Sequence, residues 1–244
     1  MPQPAETGDT RRRVLLVIAG LPAGGAERQM ALLAQGLDRS RFAPGLLIFN
    51  REDRVHYREA ITGDIWFRAL GLSGSSAPRL APALLRGIAA AVRDFAPDIV
   101  HSSLNVANHM VRASALLYGW RTPIITSVRN DFTAGYRARE KFAERILWRR
   151  SAAITCNADR VRDQIVSALP IPPNRVVTIP NGIDESFFSD ISPPPPAWWP
   201  DGHVALCIGR FTDQKNPLGL IRAFARISTG EAIANWKLAF VGEG

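Results

Sequence analysis

The sequence predicts an α/β protein built on a doubly wound parallel sheet with helices on both faces, followed by the start of a second unit of the same kind. Three observations carry that expectation. Short continuous apolar runs alternate with amphipathic helical patterns from Val14 to Ile179. A Gly24–Gly25 pair stands where the first apolar run gives way to the first helical one. A proline-rich break, "ISPPPPAWWPDG", then separates this series from another strand–helix–strand pattern, because consecutive prolines remove donors and hold the chain extended.

Residues 1–10 are polar, offer nothing to pack and are expected to be disordered. Val14–Ala19 reads as a strand buried on both faces. A helix follows, carrying Ala26, Met30, Leu33 and Leu37 on one side. Leu46–Phe49 and Ile65–Ala69 are the next two strands. Leu80, Leu84, Ile88, Val92 and Phe95 mark a long amphipathic helix ended by Pro97. Asp98–His101 is a strand, Ala107–Tyr118 a helix and Pro123–Val128 a strand. Arg137–Arg150 is helical and basic, Ala152–Cys156 is a strand, and Asn157 is placed to cap a helix running through Leu169. Val176–Ile179 closes the series and leads into "PNGID".

The domain organisation follows from this pattern. Residues 11–185 form one sheet domain and 186–202 a proline-rich linker. Residues 203–244 form a strand (His203–Ile208), a helix (Pro217–Ile227) and a strand (Trp236–Val241). Domains below roughly 40–60 residues are marginal, so this last piece reads as the truncated opening of a second domain.

Composition excludes several classes. The 244 residues carry a formal charge of +8, and all but Lys141, Lys215 and Lys237 of the 30 basic residues are arginines. That balance invites an anionic partner. The basic residues are scattered, with no run longer than Arg11–Arg12–Arg13 and no groove-reading or RNA-binding motif, so nucleic acid is not the expected partner. Cys156 and Cys207 form no CxxC pair and suit a reducing cytosol. No apolar run approaches the roughly 18 residues of a membrane span. "RRRVLLVIAGLPAGGA" has the outline of a secretory leader, but its apolar core is minimal and the fold needs the same residues as strand and turn.

Two places suggest chemistry. At Gly24–Gly25, uncapped N–H groups at a helix start favour an anion, although an ordinary tight turn would look the same. In "LCIGRFTDQKNPLGLIRAF", Arg210 lies just past the end of a strand and Lys215 in the following loop. Two cations at the C-terminal edge of a parallel sheet can neutralise a diphosphate; alone, they read equally as solvated surface charges. Neither G-x-G-x-x-G nor G-x-x-x-x-G-K-[ST] occurs, which argues against a dinucleotide oxidoreductase or a P-loop enzyme.

"VLLVIAGLPAGGAERQMALLAQGL", "TIPNGID", "IGRFTDQKNPLGLIRAF" and "LAFVGEG", in this order, resemble the retaining glycosyltransferases of family 4. That resemblance implies the GT-B fold of two Rossmann-like domains. The first binds the acceptor, the second a nucleotide-sugar, and transfer proceeds in the cleft between them without metal or other cofactor. It places Arg210 and Lys215 on the donor diphosphate as the catalytic cations. Gly24, Gly25, Gly209 and Gly242 fall around the donor. The acceptor implied is a glycan or a lipid-linked sugar of cell-surface polysaccharide or glycolipid synthesis, and the absence of Asp-x-Asp agrees with a metal-independent reaction.

The chain departs from the family in two respects. Where members often carry a histidine after the Pro123–Val128 strand, this chain has Arg129, which stays protonated and can donate hydrogen bonds but cannot act as a base. Arg129 and Asn130, with His101 and Asn105, are the expected acceptor contacts. The family's paired glutamates do not occur, so the 244-residue chain is expected to show little or no transfer on its own. A non-enzymatic sugar- or partner-binding remnant is the rival reading. The basic, aromatic stretch Arg137–Arg150 also suggests a peripheral contact with the inner face of a membrane, against the plainer alternative of a solvated face with its apolar side in the core.

Overall fold

In the computed structural model the described residues are 10–51, 55–58, 61–72, 80–133, 135–183, 185–188, 194, 196–197, 199–228 and 235–243. The disordered tail expected over 1–10 lies outside them except for Thr10, as does much of the expected linker. The chain divides into two compact units, Met1–Phe187 and Phe188–Gly244.

The first unit is a seven-stranded, wholly parallel sheet. Its strands are β1 (Arg12–Ile18), β2 (Phe42–Ile48), β3 (Trp66–Ala69), β4 (Ile99–Ser103), β5 (Ile124–Val128), β6 (Ala153–Cys156) and β7 (Val176–Thr178). They lie in the order β3-β2-β1-β4-β5-β6-β7, so the direction of winding reverses between β1 and β4. The helices are α1 (Gly25–Gly36), α2 (Ala81–Phe95), α3 (Asn105–Tyr118), α4 (Ala138–Leu147) and α5 (Asp159–Ala168).

Right-handed crossovers then dictate which face each helix covers. Winding from β1 to β2 sends α1 to one face, where Met30 and Ala34 pack on Leu16, Ile18, Leu46 and Ile48. Winding back from β3 through β7 sends the other helices to the opposite face. There α2 and α3 bury Leu84, Ile88, Phe95 and Val111 against Leu15, Val17 and Val100. Helix α5 buries Val161 and Ile165 against Ile154 and Val176. The face shared with α1 therefore has no helix of its own over β5–β7 among the described residues.

Several boundaries differ from the sequence reading for physical reasons. Strand β2 begins at Phe42 rather than Leu46, through Pro44 and Gly45. Pro44 is tolerated because β3 pairs only from Gly45 onward, leaving that side of Pro44 unpaired. Ala96 takes a left-handed φ of 47° and ends α2 ahead of Pro97. Asn157 does not cap α5; Ala158 holds the cap position, and the Asn157 side-chain oxygen is buried without a partner. The basic stretch 137–150 is not one helix, for α4 stops at Leu147 and Trp148–Arg150 tightens into a 3-10 turn.

One feature of the first unit left no trace in the sequence pattern. Arg112 of α3 and Glu144 of α4 are buried together, 0% and 2% exposed, with hydrogen bonds from Nη1 (2.8 Å) and Nη2 (2.5 Å) to the two carboxylate oxygens. His109 Nε2 stands 2.9 Å from the same carboxylate. Asn108 ties this cluster to the sheet, accepting from Ser102 Oγ at 2.7 Å and donating to the Ser127 carbonyl at 2.8 Å.

The second unit pairs β8 (His203–Ile208) with β9 (Trp236–Val241) in parallel, joined through α6 (Pro217–Ile227). These bounds match the sequence reading residue for residue.

Candidate active site

In the first unit, a cavity of about 470 Å³ opens on the sheet face beside α1. Its floor is the edge of the sheet: Ile125, Ser127 and Thr155 point toward α1, as alternation along a strand requires. Leu32, Leu33 and Gln29 of α1 form one wall. Ile179, Pro180 and Gly182, just past β7, form the other. His101 of β4 and Arg129, one residue beyond β5, complete it.

The polar groups form a row across the strands. His101 Nε2 lies 3.4 Å from Ser127 Oγ, and Ser127 Oγ lies 2.6 Å from Thr155 Oγ1. Burial, and then the nearby Arg129 charge, push His101 down to about 4, so the ring is neutral at neutral pH. Burial also lowers Arg129, which nonetheless remains a cation.

The loop "PNG" is fastened at both sides of the cavity. Gln29 Nε2 donates to the Gly182 carbonyl at 2.7 Å, and its Oε1 accepts from the Gly182 N–H at 2.8 Å. Arg129 Nη1 donates to Asn181 Oδ1 at 2.7 Å. These contacts bridge 153 and 52 residues of sequence. At the start of α3, Leu104 is held at φ 72°, a strained value for a branched side chain.

His101 and Arg129 are thus brought to one cavity; Asn105 and Asn130 do not line it. Gly24 is the N-cap of α1 and offers no side-chain cap. Its carbonyl accepts from Tyr57 OH at 3.2 Å. A side chain at Gly25 would meet nothing within 4 Å, whereas one at Gly24 would overlap the carboxylate of Glu27.

In the second unit, Gly209 and Gly242 face each other at the strand ends. A Cβ at Gly242 would overlap the Gly209 carbonyl oxygen, so only glycine fits there. Lys215 folds back across Gly209, its Cε 3.8 Å from where a Cβ would stand. Arg210 follows directly, and the loop returns to α6 through Thr212 and the cap residue Asn216. Both cations are exposed, and among the described residues neither enters an ion pair.

The profile of glycosyltransferase family 4 matches residues 23–187. The chain belongs to this family. No curated protein matches its sequence. Among solved structures, this family 4 chain is similar to HepE of Anabaena in complex with UDP, at 15% identity and a TM-score of 0.61, covering 96% of this chain and 69% of that one. It is also similar to the lipopolysaccharide outer core galactosyltransferase WaaB, at 16% identity and 0.61, covering 96% and 61%. A UDP-GlcNAc 2-epimerase from Neisseria meningitidis, bound to UDP-GlcNAc, matches at 14% and 0.58, covering 93% and 66%. Transferases and epimerases thus share this fold, and the family profile is what separates them. The chain spans about two thirds of the length of these structures.

The sequence reading missed Gln29, Ser127, Thr155 and Asn181. Asn181 lay inside the quoted "PNGID", so its motif was visible while its partner was not. Gln29 gave no signal, since a single glutamine on a helix has no distinguishing pattern.

Proposed function

We propose that this chain forms the acceptor side, and the opening of the donor side, of a retaining glycosyltransferase that moves a sugar from a nucleotide-sugar to a glycan or lipid-linked acceptor in cell-surface polysaccharide or glycolipid synthesis. Arg210 and Lys215 hold the donor diphosphate and stabilise the charge that grows on it as a leaving group, without metal. Gly24, Gly25, Gly209 and Gly242 let the backbone approach the donor closely. The cavity of His101 and Arg129 receives the acceptor, with Asn105 and Asn130 nearby in sequence. The observation that carries this reading is Lys215 folded across Gly209 beside Arg210 at a sheet edge, neither cation in an ion pair among the described residues, in a chain of this family.

The test is a transfer assay with a panel of nucleotide-sugars in EDTA, run on the 244-residue chain and on the product of its complete gene. Transfer by the latter should fall about 100-fold or more in Arg210→Ala and in Lys215→Ala. Undiminished transfer in both variants would remove these residues from the reaction. The 244-residue chain alone should be nearly inactive.

The same proposal puts the enzyme in the cytoplasm with α4 resting on an anionic membrane. Phe142 and Ile146 are 66% and 55% exposed rather than buried in the core, and they share their side of α4 with Arg139 and Arg145. That combination of exposed apolar and cationic groups supports an interfacial helix. No described helix is long and apolar enough to cross a membrane. Arg150 is not available for the contact, since it donates to the Trp120 carbonyl at 2.7 Å and stacks on that ring. Arg139→Glu with Arg145→Glu should abolish pelleting with phosphatidylglycerol vesicles; unchanged pelleting rules the contact out.

A further inference from the structure

Arg112, buried, and Arg129, partly buried, are treated differently. Arg112 is fully enclosed and met by both oxygens of Glu144. Arg129 has no such partner. Its Nη1 is taken by Asn181, its Nε is buried without an acceptor, and no carboxylate pairs with it among the described residues. Asp131, two residues on, is engaged elsewhere, accepting from Gln164 Nε2 at 3.0 Å and Thr133 Oγ1 at 2.6 Å, with Arg160 at 3.6 Å.

Around Arg129 the cavity offers hydroxyls and a neutral ring, not counter-charge. Ser127 and Thr155 bond each other, and Gln29 is committed to Gly182 through both its polar atoms. A partly buried guanidinium without a counter-ion is unfavourable; no described residue supplies one, and an anion entering the cavity would. With Nη1 occupied, Nε and Nη2 remain. They are adjacent on one edge of the guanidinium, and that edge matches the two oxygens of a carboxylate or phosphate.

We propose that this cavity binds an acidic acceptor saccharide, with Arg129 receiving the anionic substituent, a carboxylate or a phosphate monoester, through its Nε–Nη2 edge. Leu33, Ile125, Ile179 and Pro180 supply apolar surface for the ring, and the cavity's 470 Å³ lies within the roughly 300–1,000 Å³ of small-molecule sites. The neutral His101 adds a hydrogen-bonding group without a second charge, so the anion is held by one cation and oriented by a row of neutral groups. The inference rests on the acceptor-side reading of the cavity and narrows it: the acceptor is acidic, and Arg129 sets that specificity.

The experiment needs no donor. Glucuronate, glucose 6-phosphate, glucose and inorganic phosphate are titrated into the 244-residue chain at low salt, followed by ligand-observed NMR. At least one acidic sugar should bind about tenfold or more tightly than glucose, since a charge-assisted bidentate contact supplies that much. Arg129→Gln should erase the advantage and Arg129→Lys should keep part of it, with thermal melts reporting that each variant is folded. If Arg129→Gln does not fold, the wild-type titration at high ionic strength decides, because the acidic advantage must shrink there. Four results overturn the proposal: glucose matching both acids, an advantage that survives Arg129→Gln or high salt, inorganic phosphate binding as tightly as glucose 6-phosphate, or no binding by either acid. Intact acid binding by this chain, with no transfer by the product of the complete gene, would overturn the proposed transfer reaction and leave the acidic-sugar site standing.

Discussion

Strands β1 and β8 are written in nearly the same language, and they meet opposite fates. "RRVLLVI" is buried from Val14 to Ile18, between β2 and β4 and under helices on both faces. "HVALCI" is as apolar, yet no described residue of β8, α6 or β9 is buried, and Ile208, Leu218 and Ile227 lie open. The local pattern specifies the element, and burial depends on how many neighbours arrive. β8 has one strand and one helix to share its surface with, too few layers to exclude water from either face. The first unit should therefore carry essentially all of the chain's cooperative stability, and its weak points should be the long-range polar contacts that no hydrophobic pattern records.

The largest expected effect tests that division. Arg112→Ala leaves Glu144 as an uncompensated buried charge, and loss of one partner from such a pair costs ~3–5 kcal/mol. Urea unfolding followed through the buried Trp148 should show this loss in full. Amide exchange in β8 and β9 should not change, because their protection never depended on that core. A shift below ~1 kcal/mol would mean the pair is solvated and does not hold α4 to α3.

The same pair has a signature in acid. Burial alone would raise Glu144, but the hydrogen bond from His109 and the Arg112 charge more than offset it and hold the carboxyl at about 2, below its ordinary 4.5. The unfolded chain thus binds the proton first, so the contribution is complete above about pH 4.5 and disappears as pH falls toward 2. Its size is on the order of 3 kcal/mol. The pH dependence of urea unfolding in this window should flatten in Glu144→Gln; an unchanged slope would place the acid sensitivity elsewhere.

What could be read from the sequence follows the same division. All three elements of the second unit match their expected bounds. In the first unit the strands and helices were legible from periodicity, and so was the change of texture at the prolines. The site was legible only in part. Arg129 stands just past the end of β5 and His101 in the middle of β4, and both were singled out because they fall on family positions. The Gln29–Gly182 clasp and the Arg112–Glu144 pair link distant residues through side chains that look solvent-exposed in isolation, so no local pattern could announce them. The apolar residues of α4 left two readings open for the converse reason. Periodicity gives a helix a stripe, but a buried ionic contact at Glu144 took the inward position, leaving Phe142 and Ile146 outside.

The smallest effect sharpens the comparison from the other side. Asn216 sits at φ 48° at the head of α6, and its Oδ1 accepts from the Gly219 N–H at 3.1 Å, in space left free because Gly219 has no side chain. Asn216→Ala loses the cap and replaces a residue that tolerates the left-handed region with one that does not, about 1–2 kcal/mol against the first turn of α6. Asn216→Gly loses the cap but relieves the backbone, so it should cost less. Exchange at the Gly219 amide should quicken in that order, while the unfolding midpoint of the first unit stays fixed. If Asn216→Ala instead lowered the global midpoint, β8, α6 and β9 would be sharing a cooperative core with the large sheet, and the contrast between two equally apolar strands would no longer be one of missing neighbours.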